Sequence, residues 1–406
     1  MPEFILQAGL GLPFLLLLMA LMGLRRRVTP RASVLIKAPV ERVFRLLDLY
    51  NGKVQKWNRT HITAELIDAE SQIFRMTYAT TMSTGTTQSS QALFRVAARR
   101  EPHYLELARE GIEGKSHNNE LLKIVYETAE EQGGTRLKMA YHWGSRPMLA
   151  QVLARADLWG GAYRLKSLAE TGKSNETVHT LISLGISIVT GFLTFVGFGL
   201  MTDWTIAALL LVALLVHEFG HLLAYRLMGQ PWGRMIFLPF LGAMAVPRLA
   251  YQSQGQAVFA ALMGPGLSAA LSIALLYAVA LDIDTYNWSV NLVVVAAALN
   301  LFNLLPVEPL DGGVALRSVL AKLMGVYARF GLMCIGLTII AAGFYFQQVV
   351  LLVFGGISVI ANLKPRLIDP GLTPLTSLQV TTAFFSYVVI TVTYIVALKD
   401  IFGLSA

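Results

Sequence analysis

Cysteine is nearly absent from this chain of 406 residues, which contains only Cys334. One thiol cannot form a disulfide within the chain, so the fold cannot depend on a disulfide framework. Charged residues are also scarce, at 14% of the chain, while 55% of the residues are hydrophobic. That balance excludes an ordinary soluble protein of this length.

The net charge of +8 does not indicate a nucleic acid partner. The basic residues mostly flank apolar runs. Lys and Arg in that position set the orientation of membrane spans, because cytoplasmic loops carry an excess of them. We therefore attribute the charge to membrane topology and expect no nucleic acid binding.

The apolar residues divide the chain into three parts. In residues 1–28, an apolar run at 4–24 is followed at once by three arginines, which predicts an uncleaved transmembrane anchor. Residues 29–173 are polar and mixed, as in a soluble domain. Residues 174–406 form a multi-span membrane domain, because their apolar runs are mostly near the 20 residues that a spanning helix needs. These runs are 179–201, 204–228, 255–281, 287–306, 328–346, 347–363 and 379–398.

The basic residues between the runs predict an orientation. Threading the runs alternately from a cytoplasmic residue 178 leaves Thr202-Asp203 and 282–286 outside, and neither turn contains Lys or Arg. Positive loops face the cytoplasm in multi-pass proteins. We therefore expect an integral protein of a prokaryotic inner membrane, with residues 29–173 on the cytoplasmic side.

Residues 29–173 show the order strand, helix, several strands and long final helix. The first helix follows Pro39, and its apolar residues recur with helical spacing from Val40 to Leu47. Gly133-Gly134 predicts a hairpin turn before the last strand, and residues 147–171 predict the final helix.

This order resembles the helix-grip fold of START-like and polyketide-cyclase-like domains, the SRPBCC superfamily. The stretch APVERVF at 38–44 and the nearby Trp57 are similar to that group. The resemblance implies an α+β domain with a cavity between the sheet and the long helix, which often holds a hydrophobic ligand. A helix-grip scaffold with a filled core, used only for protein contacts, is the alternative.

The run LLVHEFGHLLAY, residues 214–225, places three ionisable side chains in an otherwise lipid-facing pattern. Such groups are costly inside a bilayer and are usually functional. His217 and His221 are four residues apart, so they share one helix face and can bind one zinc ion. Glu218 beside them can serve as general base. The alternative is a histidine pair that hydrogen-bonds to neighbouring helices.

A catalytic zinc site needs a third protein ligand and keeps one position open. The segment NLFNLLPVEPLDGG, residues 300–313, offers Glu308 and Asp311 at the predicted cytoplasmic end of a span. The two histidines also lie toward the cytoplasmic end of their span. Either carboxylate is therefore expected at the same depth in the membrane as the two histidines.

Together the two segments resemble the paired motifs of site-2 proteases, the intramembrane zinc metalloproteases. The resemblance implies that His217, His221 and Asp311 bind zinc and that Glu218 is the catalytic acid and base. Asn303 occupies the position of the family's motif asparagine, which implies a contact to the oxyanion or the substrate. The implied fold is a polytopic α-helical core.

Two further segments bear on that core. MGPGLSA, residues 263–269, resembles the Gly-Pro stretch of a neighbouring helix in the family. Residues 233–249 are too short and too broken by proline and glycine to cross a bilayer, which predicts a re-entrant hairpin. An exposed strand edge there could capture an unwound substrate by β-addition, and a hairpin that only plugs the cavity is the alternative. The candidate edge residues are Phe237, Leu238, Phe240 and Leu241.

The resulting hypothesis is an intramembrane zinc metalloprotease that cleaves membrane proteins within or near their transmembrane segments. Water activated by zinc would be the nucleophile, and Glu218 would be the general base. The expected partners are a transmembrane protein substrate, the lipid bilayer and a hydrophobic ligand of residues 29–173. Two alternatives stay open: a transporter that handles metal ions, and a ligand-sensing receptor with an inactive protease core.

Overall fold

A computed structural model describes most of the chain after residue 24. The described residues are 25–51, 61–81, 87–110, 121–173, 176–238, 242–249, 251–281, 283, 288–307, 310–347, 349–363 and 372–403. The predicted anchor at 4–24 and Trp57 lie outside them. Contacts between residues divide the chain into two compact units, 1–182 and 183–406.

The described part of the first unit contains one antiparallel sheet and two α-helices. Its elements are β1 (Arg25–Val28), β2 (Arg31–Ile36), α1 (Val40–Leu47), β3 (His61–Asp68), β4 (Ile73–Thr81), β5 (Thr87–Arg100), β6 (Tyr104–Arg109), β7 (Leu121–Glu131), β8 (Gly134–Pro147) and α2 (Met148–Thr171). The strand order is β1-β8-β7-β6-β5-β4-β3, and β2 also pairs with β8. This arrangement confirms the predicted α+β helix-grip fold.

The core of this unit lies between the sheet and its helices. Alternate residues of β2 are buried, as expected for a strand with one face toward a core. Phe44 of α1 and Leu158 of α2 join one apolar cluster with Phe74, Phe94 and other sheet residues. The long helix therefore packs directly on the sheet, and a hydrophobic ligand in this domain stays a prediction.

The two ends of β8 show how it is connected to its neighbouring strands. Gly133 has a φ of +91°, which lets β7 turn directly into β8 as predicted. At the other end, Arg25 pairs with Pro147 and Arg27 pairs with Ser145. The arginines that follow the predicted anchor thus form a strand of this sheet.

The second unit is mainly helical. Its elements are α3 (Glu176–Met201), α4 (Trp204–Leu227), β9 (Arg234–Leu238), β10 (Gly242–Val246), α5 (Gln254–Ala280), α6 (Trp288–Asn303), α7 (Asp311–Met324), α8 (Ala328–Tyr345), α9 (Val349–Leu363) and α10 (Ser377–Phe402). Four of them, α4, α5, α8 and α10, are long and apolar enough to cross a membrane, and shorter apolar stretches lie in α3, α6 and α9. The predicted polytopic α-helical architecture is confirmed.

The segment between α4 and α5 forms a two-stranded hairpin. β9 and β10 pair antiparallel from Arg234↔Val246 to Leu238↔Gly242. Phe237 is buried and lies against Gly191 of α3. Two other predicted edge residues, Phe240 and Leu241, lie outside the described residues. The re-entrant position of the hairpin in a bilayer stays a prediction.

Candidate metal centre

Helix α4 carries the first motif into the interior of the second unit. Asp203 begins the helix, because its side chain accepts hydrogen bonds from the backbone N–H groups of Thr205 and Ile206. The apolar residues that follow favour a continuous helix. In its second half His217, Glu218 and His221 are only 2%, 4% and 8% exposed. Buried charge-bearing groups of this kind require compensating partners.

Three atoms from two segments converge on one point. Nε2 of His217 and Nε2 of His221 are 3.1 Å apart. Oδ2 of Asp311, the first residue of α7, lies 3.2 Å from the former and 3.4 Å from the latter. The structure thus brings together the three zinc ligands that the motifs imply.

The hydrogen-bond partners of the two Nδ1 atoms indicate the tautomer of each imidazole. Nδ1 of His217 lies 2.8 Å from Oδ1 of Asn300 in α6. Nδ1 of His221 lies 2.7 Å from the carbonyl oxygen of Ala260 in α5. Oxygen acceptors at these positions require N–H donors, so each neutral imidazole carries its proton on Nδ1. In neutral rings with that tautomer, both Nε2 atoms present lone pairs toward each other and toward Asp311.

This donor set fits a zinc ion. Three electron-rich acceptors face one another, and Oδ2 of Asp311 has no hydrogen-bond partner among the described residues. A cation removes the repulsion between them. Zinc in tetrahedral coordination has bonds of about 2.0–2.1 Å, which place neighbouring ligand atoms about 3.3 Å apart. The observed separations of 3.1–3.4 Å agree with that value.

Asn300 contacts the centre, and the motif resemblance did not identify it. Its side-chain Nδ2 donates to the carbonyl oxygen of Ala296, 2.7 Å away, which directs Oδ1 toward His217. Metal-binding histidines commonly donate their second ring N–H to such an oxygen, which fixes the tautomer and the ring orientation. The sequence signal for Asn300 is its position three residues before Asn303, which places both side chains on one side of the helix.

The other predicted residues have different surroundings. Asn303 is the last residue of α6, and its side chain donates to the carbonyl oxygen of Leu299 at 3.2 Å, within the same helix. Its proposed contact with the oxyanion or the substrate stays a prediction. Glu308, the alternative third ligand, lies outside the described residues.

Glu218 lies beside the three ligands without being needed as one. Its Oε2 atom is buried and has no hydrogen-bond partner among the residues that the structure describes. The backbone N–H of Ala245, in β10, is within hydrogen-bonding reach of the same carboxylate. A buried carboxylate with a free oxygen next to a metal centre is suited to accept a proton.

Close helix packing encloses the site. Gly264 of α5 faces both imidazole rings, and a Cβ atom there would overlap the ring of His221. A Cβ atom on Gly220 of α4 would overlap the backbone of Met263. The MGPGLSA stretch therefore has a steric role, because it lets the backbone of α5 approach the two histidines.

Known proteins are similar to parts of the chain. No family model matches the chain. A zinc metalloprotease of Methanocaldococcus jannaschii is 26% identical over 151 residues, which are 36% of this chain and 44% of that protein. The similarity therefore spans less than half of that relative's length.

Solved structures similar to the chain include the Aha1 dimer from Colwellia psychrerythraea. It is 13% identical, with coverage of 36% of this chain and 98% of that chain and a TM-score of 0.28. Protein Ms6760 from Mycobacterium smegmatis is 23% identical, with coverage of 35% and 91% and a TM-score of 0.25. The di-domain ARO/CYC protein BexL is 13% identical, with coverage of 36% and 49% and a TM-score of 0.27. Part of the chain is similar in sequence to a zinc metalloprotease.

Proposed function

We propose that the protein is an intramembrane zinc metalloprotease of the site-2 type. The observation that carries the proposal is the convergence of three potential ligand atoms, Nε2 of His217, Nε2 of His221 and Oδ2 of Asp311, inside a bundle of apolar helices. The free carboxylate oxygen of Glu218 beside them completes the residues needed for peptide hydrolysis. The sequence similarity to a zinc metalloprotease supports the same reaction class.

The residues of the chain have separable roles in this reaction. When bound, zinc supplies a Lewis acid that polarises the scissile carbonyl and makes water nucleophilic near neutral pH. Glu218 accepts the proton from the attacking water and later donates it to the leaving amine. Asn300 and the Ala260 carbonyl hold the two imidazoles in the tautomer that leaves Nε2 available.

We test this proposal with Glu218→Gln, which keeps the shape of the side chain but removes the proton acceptor. The variant and the wild-type protein are expressed with a reporter whose transmembrane segment releases a detectable fragment when cut. We expect cleavage to fall about 100-fold or more, the scale of general acid–base catalysis. Exposed Glu130→Gln, in β7, is the matched control and should cleave normally. Equal cleavage by the Glu218→Gln and wild-type proteins would refute the proposal.

The location of the site among apolar helices supports a transmembrane segment as the substrate. A transmembrane substrate hides its peptide carbonyl groups in the hydrogen bonds of its own helix. A segment of it must therefore unwind before hydrolysis, and the unwound backbone needs new hydrogen-bond partners. A free strand edge close to Glu218 would supply them.

The outer edge of β10 is our candidate for that function. The carbonyl oxygen of Ala245 accepts a hydrogen bond from Tyr225 of α4, and its N–H faces Glu218. On the opposite side of the hairpin, the carbonyl oxygen of Met235 in β9 accepts from Ser187 of α3 at 2.6 Å. The backbone N–H and C=O groups of the paired residues Met235 and Ala245 thus point away from the β9–β10 ladder. Outward groups recur at every second residue, so Ala243 is the next residue of this edge whose backbone groups face a substrate.

Ala243→Pro tests the role of this edge. Proline removes an edge N–H that the β9–β10 ladder does not use, and strands tolerate it at such positions. We expect kcat/KM for a transmembrane substrate to fall about tenfold, corresponding to the loss of one backbone hydrogen bond in a dry site. Zinc content should not change. Ala243→Val, which keeps the N–H, is the control, and equal losses in both variants would contradict strand capture.

We further propose that the soluble domain is cytoplasmic. The basic residues of the second unit support this orientation, because Arg226, Arg248 and Arg329 lie near helix ends that thread to one side. A cysteine at exposed Gln132, placed in a Cys334→Ser protein, should react with a membrane-impermeant maleimide only after cell lysis. Labelling of intact cells would reverse the assigned topology.

A further inference from the structure

The segment between α6 and α7 connects two parts of the metal centre. Leu304 follows α6, and its N–H donates to the backbone oxygen of Asn300 at 2.8 Å. Its carbonyl oxygen lies against Gly312, so closely that a Cβ atom there would overlap it. Gly312 directly follows Asp311. The backbone of Leu304 therefore contacts Asn300, the partner of His217, through its N–H group. Through its carbonyl group it contacts Gly312, the neighbour of Asp311.

Helix α10 contacts this peptide from a distant part of the sequence. Oη of Tyr387 donates to the carbonyl oxygen of Leu304 at 2.6 Å. Seven residues later on the same helix face, Oη of Tyr394 donates to the carbonyl oxygen of Pro265 at 2.8 Å. Tyr394 is fully buried, and Pro265 adjoins the glycine that faces both imidazoles. Helix α10 thus contacts the backbone on both sides of the centre, at Leu304 and at Pro265.

Helix α9 contributes a second hydroxyl to the same segment. Oγ of the fully buried Ser358 donates to the carbonyl oxygen of Pro306 at 3.2 Å. Phe354, one turn earlier on α9, packs edge to face against Phe302 of α6, with ring centroids 4.9 Å apart. Two helices that supply no metal ligand therefore hold two carbonyl groups, two residues apart, in the segment leading to Asp311.

We propose that Tyr387 and Ser358 are positioning residues that fix Asp311 at the metal centre. The inference rests on the proposed function, because it assigns these hydroxyl groups to the geometry of the zinc site. Polar groups in a dry bundle must be paired, so loss of either hydroxyl leaves a carbonyl without its partner. The segment then relaxes, and the carboxylate of Asp311 loses its fixed distance to the two histidines.

The test measures metal binding by the purified full-length protein. Tyr387→Phe and Ser358→Ala remove one hydroxyl each and keep most of the packing. We expect each variant to raise the zinc Kd, measured by chelator competition, about tenfold, the lower end of the range for groups that orient metal ligands. The visible absorption of the Co²⁺-loaded protein at saturation should change in both variants, because that spectrum reports ligand geometry. The melting temperature of the metal-free protein should fall by only about a few degrees, because each variant leaves one buried carbonyl group unpaired.

Two control variants remove a hydroxyl elsewhere. Tyr277→Phe alters an exposed residue of α5, and Thr338→Ala alters a hydroxyl that donates to the backbone oxygen of Cys334 within α8. Both should match the wild-type protein. If the wild-type protein binds zinc and the Tyr387 and Ser358 variants bind it with unchanged Kd, the positioning role is overturned and the proposed function survives. A lower melting temperature with an unchanged Co²⁺ spectrum also overturns it, because the role is then only structural. Failure of the wild-type protein to bind zinc overturns both.

Discussion

Asp311→Ala is expected to abolish zinc binding. The substitution removes the only carboxylate among the three converging ligands and leaves two imidazole nitrogens 3.1 Å apart. Groups that merely orient a ligand change metal affinity 10- to 100-fold, so loss of a ligand should exceed about 100-fold. Elemental analysis of the purified protein should give about one zinc per chain for the wild type and almost none for the variant.

Glu308→Ala is the matched control for that experiment. Glu308 is the other carboxylate of the NLFNLLPVEPLDGG segment, three residues before Asp311. Its replacement should leave the zinc content unchanged. If Glu308→Ala loses the metal while Asp311→Ala retains it, the assignment of the third ligand is wrong.

Gly264→Ala adds only one methyl group, and we expect it to reduce zinc binding about as much as Asp311→Ala. Alanine in place of glycine normally stabilises a helix by about 1 kcal/mol, because it reduces the freedom of the unfolded chain. Here the added methyl group would overlap the imidazole of His221 and lie 3.1 Å from Cε1 of His217. Both rings are held by hydrogen bonds at Nδ1 and cannot retreat without losing them. We therefore expect loss of zinc and of cleavage.

Gly266→Ala separates this steric effect from any general effect on α5. It lies two residues further along the helix, where the added Cβ atom meets only Cδ1 of Ile390 at 3.4 Å. The Gly266→Ala protein should bind one zinc per chain. Normal zinc content in the Gly264→Ala protein would show that the imidazoles are not confined as the structure indicates.

Much of the centre could be predicted because its signals are local in sequence. A spacing of four residues places His217 and His221 on one face of any helix, whatever surrounds it. The Gly133 turn and the apolar runs of the second unit are local signals of the same kind, and the structure has them where the sequence predicts. The carboxylate was harder to predict, since Glu308 and Asp311 lie in one short segment and motif resemblance was needed to prefer Asp311.

The remaining contacts depend on tertiary placement. Asn300 and Asn303 occupy the same helix, and only the rotation of α6 decides which amide meets His217. The outward orientation of Ala245 depends on the register of the β9–β10 pair, and a shift of one residue would reverse it. The hydroxyls of Tyr387 and Ser358 reach carbonyls 83 and 52 residues away in sequence. No periodicity within a helix can specify such partners.

The most direct test of zinc-dependent proteolysis is a metal titration with cleavage as the readout. The purified full-length protein is stripped of metal by a chelator, and zinc is returned in steps in the presence of a short transmembrane substrate. We predict no cleavage without metal, a linear rise, and a break at one zinc per chain. The Glu218→Gln protein should take up the same zinc and cleave nothing. Cleavage by the metal-free protein, or normal cleavage by zinc-loaded Glu218→Gln protein, would contradict the assignment of this centre as a zinc protease.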